Sequence, residues 1–206
     1  RAISGHLQFL DPTSFKDKDT QKSLGFVLEG AKHMQRLLDG LLQFSRVSTQ
    51  KKGFSLISLG DVVATAVGLI KNLDLSILSL PANFPTVYGD KTQLVQVFQN
   101  ILANSLKYSD PSRPLRIEIT VKEAPAKFEV DIKDNGLGFD SPEPHRAFQI
   151  FQRLHRNNSI PGTGVGLAIV RRIMQFHDGG AAISSEEGVG TTVNWQFPKK
   201  KGLDSE

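Results

Sequence analysis

Two asparagines four residues apart, Asn100 and Asn104, stand with Lys107 in an otherwise apolar run that contains Val95, Val97, Phe98, Ile101 and Leu102. On a helix this spacing brings both amides, and one step further round the ammonium, near a common face. An amide oxygen is a hard donor that can complete a magnesium shell otherwise made of water and triphosphate oxygens, and an ammonium meets phosphate as a point charge. Asparagine is a poor helix former, so two of them inside an apolar helix ask for a reason beyond ordinary solvation. Further along, Asp134 precedes Gly136 and Gly138. A carboxylate there would repel phosphate but can accept the exocyclic amine of adenine, while the glycines let the main chain pass close to a base or ribose. An Asp-Asn-Gly turn that needs positive φ accounts for the same residues and is compatible with that role. Gly162, Thr163, Gly164 and Gly166 then run into a helix at Leu167, whose first N–H groups can face phosphate oxygens. Their spacing does not fit the Gly-x-Gly-x-x-Gly dinucleotide fingerprint, and they lie late in the chain instead of opening a βαβ unit. In this order the three elements outline a pocket for a magnesium-bound nucleoside triphosphate.

The elements that must hold these residues can be read from periodicity. Asp90 is a helix N-cap candidate, followed by an amphipathic helix over residues 92–108. Residues 115–121 and 127–133 alternate apolar and polar side chains as half-buried strands do, and 181–185 and 191–197 form a further pair around a turn at 187–190. A helix is predicted over 167–176, another over 61–71, and strands over 54–58, 76–80 and 86–88. Adjacent antiparallel strands with interspersed helices predict an α+β fold, a two-layer α/β sandwich with a mixed sheet and its helices on one face.

Ahead of this lies a different pattern. Leu24, Leu28, Ala31, Met34, Leu38, Leu41 and Ser45 recur at steps of three and four, with Val27, Leu37 and Leu42 widening the stripe. A shorter set, Ile3, Leu7 and Leu10, precedes Asp11 and Pro12, which should end that helix. Joined by the polar residues 16–22, the two make a hairpin that cannot hide both apolar faces. It either pairs with a second copy into a four-helix bundle or packs on the rest of its own chain. Residues 49–53 break the pattern as a linker, dividing the chain into 1–50 and 51–206.

Bulk properties narrow the classes. The 206 residues are 39% hydrophobic, enough for a real core, and carry a net charge of +4. The lysine clusters at 51–52 and 199–201 read as solvated ends and not as a nucleic-acid surface, being neither interleaved with aromatics nor extended along a helix. With no cysteine in the chain, disulfides and thiolate chemistry are excluded. No apolar run approaches the ~20 residues of a membrane span, and no signal peptide is recognisable. The expectation is a soluble, cytoplasmic polypeptide without membrane contact of its own. Because it begins at Arg1 inside a helical pattern, it is expected to be a fragment of a longer protein.

These motifs resemble those of sensor histidine kinases, within the ATP-binding superfamily shared with DNA gyrase and mismatch-repair ATPases. Residues 100–108 look like the family's N box, 134–139 like its first glycine box, 148–151 (Phe148, Gln149, Ile150, Phe151) like its F box, and 162–167 like its second glycine box. The segment 151–155, closely followed by 161–164, is similar to kinases attached to phytochrome or PAS sensors. Residues 24–48 look like the second helix of the dimerisation and histidine-phosphotransfer domain. The resemblance implies a Bergerat-type ATP-binding fold with ATP and Mg2+ as cofactors. It also implies a homodimer through the N-terminal helices, an upstream sensor domain, and a response-regulator receiver domain as partner. Asn104 would coordinate magnesium with Asn100 in support, Lys107 would hold phosphate, Tyr108 would stack on adenine, and Asp134 would bind the adenine amine. Arg153 and Arg156, beside an ATP lid at 157–161, would steady the γ-phosphate, and Phe148 and Phe151 would anchor the lid.

Two details refine the expectation. ATP hydrolases of the superfamily place a glutamate four residues before the magnesium asparagine, where this chain has Asn100. A neutral amide cannot act as that general base, whereas phosphoryl transfer depends mainly on positioning and charge neutralisation. The phosphoacceptor histidine is expected ahead of Arg1, because residues 1–5 resemble the stretch immediately C-terminal to it in the family. His6 is succeeded by Leu7 where an acidic residue would stand. A non-catalytic scaffold of the same fold and an ATP hydrolase are the competing readings.

Overall fold

The computed structural model describes residues 17–47, 53–71, 73–154, 160 and 162–199. Helix α1 (Lys18–Arg46) leads to strand β1 (Phe54–Ser58), helix α2 (Leu59–Gly68), a 3-10 turn (Leu75–Ile77), β2 (Leu78–Ser79) and β3 (Thr86–Asp90). Helix α3 (Lys91–Lys107), β4 (Ile117–Glu123), β5 (Lys127–Asp134), a second 3-10 turn (Pro144–Phe148), α4 (Gly166–Phe176), β6 (Gly180–Glu186) and β7 (Gly190–Pro198) come next. The main sheet runs β2-β4-β5-β7-β6, with β2 parallel to β4 and the other pairs antiparallel, while β1 and β3 form a separate antiparallel pair.

Alternation builds the sheet's buried face. Ile117 and Ile119 on β4, Val130 and Ile132 on β5, and Val193, Trp195 and Phe197 on β7 point to one side and are buried. Against them pack Leu94, Phe98, Ile101 and Leu102 of α3 and Ile169, Val170 and Ile173 of α4, with α2 beside α3. Trp195 meets Phe98 and Phe197 edge to face, at centroid distances of 5.2 and 4.8 Å. The opposite face is polar, with Asp131 paired to Lys122 at 3.5 Å and accepting from Asn194 at 2.6 Å.

Three predicted boundaries move for reasons of capping. The joining segment expected at 16–22 is helical from Lys18, because Asp17 accepts from the N–H groups of Asp19 and Thr20 at 3.3 and 3.0 Å and starts the helix early. Ser58 caps α2, so that helix covers Leu59–Gly68 instead of 61–71. The strand expected at 76–80 shrinks to Leu78–Ser79, because Asp74 accepts from the Ser76 N–H at 2.9 Å and winds the preceding residues into a 3-10 turn. The first helix of the predicted hairpin and linker residues 49–52 lie outside the described residues.

Helix α1 leaves much of its apolar stripe in solvent, with Val27, Met34, Leu38, Leu41 and Leu42 all exposed. Its C-terminal end does pack on the rest of the chain. Val47 is buried in the main core, Phe44 lies 5.8 Å beneath Arg172 of α4, and Gly40 abuts Val165, where an added Cβ would sit 3.0 Å from a valine methyl.

His177, just past α4, joins the two site-bearing helices. Its Nδ1–H donates to the Ile173 carbonyl at 2.8 Å and its Nε2 accepts from the Asp90 N–H at 3.0 Å, at the cap of α3. That pattern requires a neutral imidazole. Burial pulls its pKa below the usual histidine value, opposed by its bond to Ile173 and by Asp90 and Asp178.

Candidate functional site

Asp90 caps α3 by accepting from the Gln93 N–H at 3.1 Å. The helix's core face then turns Asn100, Asn104 and Lys107 into a cleft of about 420 Å³ between α3, α4 and the ends of β5 and β7. Asn100 Nδ2 donates to the Gln96 carbonyl at 2.9 Å, and its Oδ1 faces Gly166, where a Cβ would come within 3.0 Å. The Asn104 amide, half-buried in the cleft wall, makes no side-chain hydrogen bond among the described residues. Lys107 Nζ donates to the Tyr108 hydroxyl at 2.9 Å and sits 4.4 Å from the centre of its ring, so the cation is held over the aromatic face. Gly162 passes so close above Lys107 that a Cβ there would collide with Nζ.

Asp134 ends β5 and its carboxylate is oriented by three donors. Oδ1 accepts from the N–H groups of Gly136 and Thr191, at 3.0 and 3.2 Å, and Oδ2 accepts from Ser105 Oγ at 2.8 Å. A carboxylate offers about four acceptor sites, so one remains on Oδ2. Sequence reading missed Ser105 and Thr191. Ser105 is a buried hydroxyl among the inward positions of α3, one turn after Ile101, and that polar interruption is its only local signal. Gly136 and Gly138 do not line the cleft. A Cβ on Gly136 would lie 2.5 Å from the Tyr108 carbonyl, and Gly138, at φ +60°, has its Cβ space filled by the Glu186 carbonyl. The main chain they let pass close is the protein's own.

Opposite α3, residues 162–167 line the cleft and lead into α4. Val165 caps that helix with no side-chain hydrogen bond, which leaves first-turn N–H groups for water or an anion. Gly164, at φ +70°, accepts from the Phe151 N–H at 3.1 Å, and a Cβ on it would meet the Gln152 carbonyl at 2.7 Å. Phe148 is buried at 5% exposure, whereas Phe151, at φ 66°, is 48% exposed. Only the first of these two phenylalanines serves as a buried anchor. Arg153 lines the cleft and donates from Nη2 to the Ile160 carbonyl at 2.5 Å. Arg156, most of the expected lid, His6 and the rest of residues 1–16 fall outside the described residues.

The cleft also has a wall that the sequence did not announce. Arg36, Asp39, Gly40 and Gln43 of α1 line its mouth, carried there by the contact between Gly40 and Val165.

Residues 89–201 match the family described as histidine kinase-, DNA gyrase B-, and HSP90-like ATPase. Among curated proteins, cyanobacterial phytochrome A of Nostoc sp. (strain PCC 7120) is 36% identical over 187 residues, which is 88% of this chain and 24% of the relative. Among solved structures, the mycobacterial sensor histidine kinase MprB superposes with a TM-score of 0.62 at 25% identity, over 70% of this chain and 97% of that one. Full-length ShkA in complex with AMPPNP shares the fold, with a TM-score of 0.66 at 18% identity over 88% of this chain and 39% of that one. The chain spans between 22% and 49% of the length of the curated relatives it matches.

Proposed function

Because this chain belongs to the family of histidine kinase-, DNA gyrase B- and HSP90-like ATPases, we propose that its cleft binds Mg-ATP for transfer of the γ-phosphate to a histidine of a longer sensor kinase. One arrangement carries this reading. Asn104 and Lys107 share a cleft with the uncapped first turn of α4, and the same cleft holds an Asp134 with an acceptor position to spare.

Asp134 takes the adenine amine, with Tyr108 beside the base. Lys107 and the N–H groups at the start of α4 take phosphate oxygens. Arg153, already tied to residue 160, steadies the γ-phosphate with Arg156. The residues present fit a magnesium ion: the Asn104 amide is uncommitted among the described residues and offers a hard oxygen, with Asn100 close to the start of α4. When bound, the ion neutralises charge on the triphosphate. Asn100 stands where the superfamily's hydrolases carry a glutamate, donates through Nδ2 and has no proton-accepting nitrogen, so this position cannot supply a base to activate water, which favours transfer to a protein acceptor over hydrolysis.

The exposed stripe of α1 suits a homodimer, and in the whole protein a response-regulator aspartate would receive the phosphate. An upstream sensor domain and a cytoplasmic site of action belong to the same proposal. Among the described residues no helix is long and apolar enough to cross a membrane.

The test is calorimetric titration with a non-hydrolysable ATP analogue, with and without magnesium. Wild type should bind in a magnesium-dependent manner, and Asn104→Ala should lose at least about tenfold in affinity together with that dependence. Wild-type affinity in the variant overturns the assignment. Absence of binding by the wild type supports a scaffold, and, with ATP itself in a parallel assay, rapid phosphate release without an acceptor supports a hydrolase.

A further inference from the structure

Arg113 lies outside the cleft, yet its guanidinium reaches three main-chain carbonyls. Nε donates to Asn135 O at 2.9 Å, and Nη2 donates to Gly136 O at 2.9 Å and to Gly188 O at 2.6 Å. Asp110 Oδ2 stands 3.4 Å from Nε. Two loops distant in sequence, one leaving β5 and one joining β6 to β7, thus end on one planar cation. The first loop supplies the Gly136 N–H that holds Asp134 Oδ1, and the second runs into β7, whose Thr191 N–H holds the same oxygen. Gly136 is therefore fixed through both faces of its backbone, its N–H on Asp134 and its carbonyl on Arg113. Asn135 completes the buckle, donating from Nδ2 to Pro114 O at 3.0 Å and accepting the Arg116 N–H at 2.7 Å.

We propose that Arg113 is a positioning residue that sets the adenine selectivity of the cleft: it clamps the two loops from behind and thereby aims the free acceptor position of Asp134 at the base amine. This rests on the reading of Asp134 as the base acceptor. A planar fork of donors suits several carbonyls at once, whereas a lysine ammonium in its place acts as a point charge and cannot span all three. Without the clamp Asp134 keeps its charge and loses its aim. The loss then falls on a ligand that carries the amine, and a ligand without it is scarcely affected.

The experiment uses the full chain as wild type, Arg113→Ala and Arg113→Lys. Dissociation constants for ATP and for purine riboside triphosphate, which lacks the exocyclic amine, are measured by competition against a fluorescent ATP analogue, with melting curves alongside. Arg113→Ala should weaken ATP about tenfold and purine riboside triphosphate less than about twofold, and Arg113→Lys should recover only part of the difference. Added guanidinium should restore selectivity to Arg113→Ala, since the arginine side chain is 34% exposed and its site is open to solvent. Equal loss for both nucleotides, unchanged selectivity, or unfolding of both variants would make Arg113 a structural tie and overturn the proposal. Failure of the wild type to bind ATP, or wild-type indifference to the amine, would instead overturn the reading of the cleft on which it rests.

Discussion

Asp134→Asn separates base recognition from folding, because the structure dictates which way the new amide must lie. Two backbone N–H groups, from Gly136 at 3.0 Å and Thr191 at 3.2 Å, converge on Oδ1, so that position must remain an oxygen. The amide NH2 then occupies the place of Oδ2. Ser105 can adapt: its hydroxyl proton turns to the Ile101 carbonyl, already 3.3 Å away, and its oxygen accepts from the new NH2. Every group inside the protein keeps a partner, and the melting temperature should change little. The ligand fares differently, since the lone pair that would meet the adenine amine is replaced by a donor. A hydrogen bond to a charged group contributes about 1.5–3 kcal/mol, and each 1.4 kcal/mol is about tenfold in affinity. ATP should therefore bind about 10- to 150-fold more weakly. Inosine triphosphate, with a carbonyl in place of the amine, should bind the variant better than it binds the wild type. Competition binding of both nucleotides to both proteins measures this. Unchanged ATP affinity in Asp134→Asn, or an equal loss for both nucleotides with an unchanged melting temperature, would refute the argument.

His177 is neutral in the fold and its pKa is lowered, so the folded state binds fewer protons than the unfolded one. Its stabilising contribution should be complete above the unfolded value near 6.5 and fade as pH falls through the folded value. Chemical denaturation between pH 8 and 5 should show this slope, and His177→Phe should flatten it while costing about 1–3 kcal/mol at neutral pH through the unpaired Asp90 N–H. The double change Leu38→Glu with Leu42→Glu places charges on the exposed stripe of α1, away from the core. Sedimentation should report a monomer with unaltered ATP affinity, and a persisting dimer would mean that another surface pairs the chains.

Local chemistry explains which elements are legible in the chain. Strand β1 falls where it is predicted, helix α4 within one residue at its start and α3 within one residue at each end, because periodicity and the Asp90 cap are properties of neighbouring residues. Asn100, Asn104 and Lys107 share a wall for the same reason: four-residue spacing on a helix is a local geometry. The departures at 16–22 and 76–80 are local too, since Asp17 and Asp74 each cap the turn after them and override the pattern of the surrounding residues. Phe151 departs in a different way: its backbone pairs with Gly164 across a loop and its side chain stands exposed.

The motif residues, the alternation that builds the sheet and the helix face that carries the amides are all encoded within a few turns of chain, and the linear order of residues suffices to find them. The surroundings of Asp134 and the walls of the cleft are set by contacts between distant segments. Pairing Asp134 with Thr191 is a matter of β5–β7 register, and a slip of one residue would have turned a different donor toward the carboxylate. Ser105 reaches Asp134 across 29 residues and Arg113 reaches Gly188 across 75. Gly40 meets Val165 only because α1 folds back onto α4. A hydrogen bond chooses its partner by position in space, and for groups so far apart that position exists only once the sheet has closed on its helices.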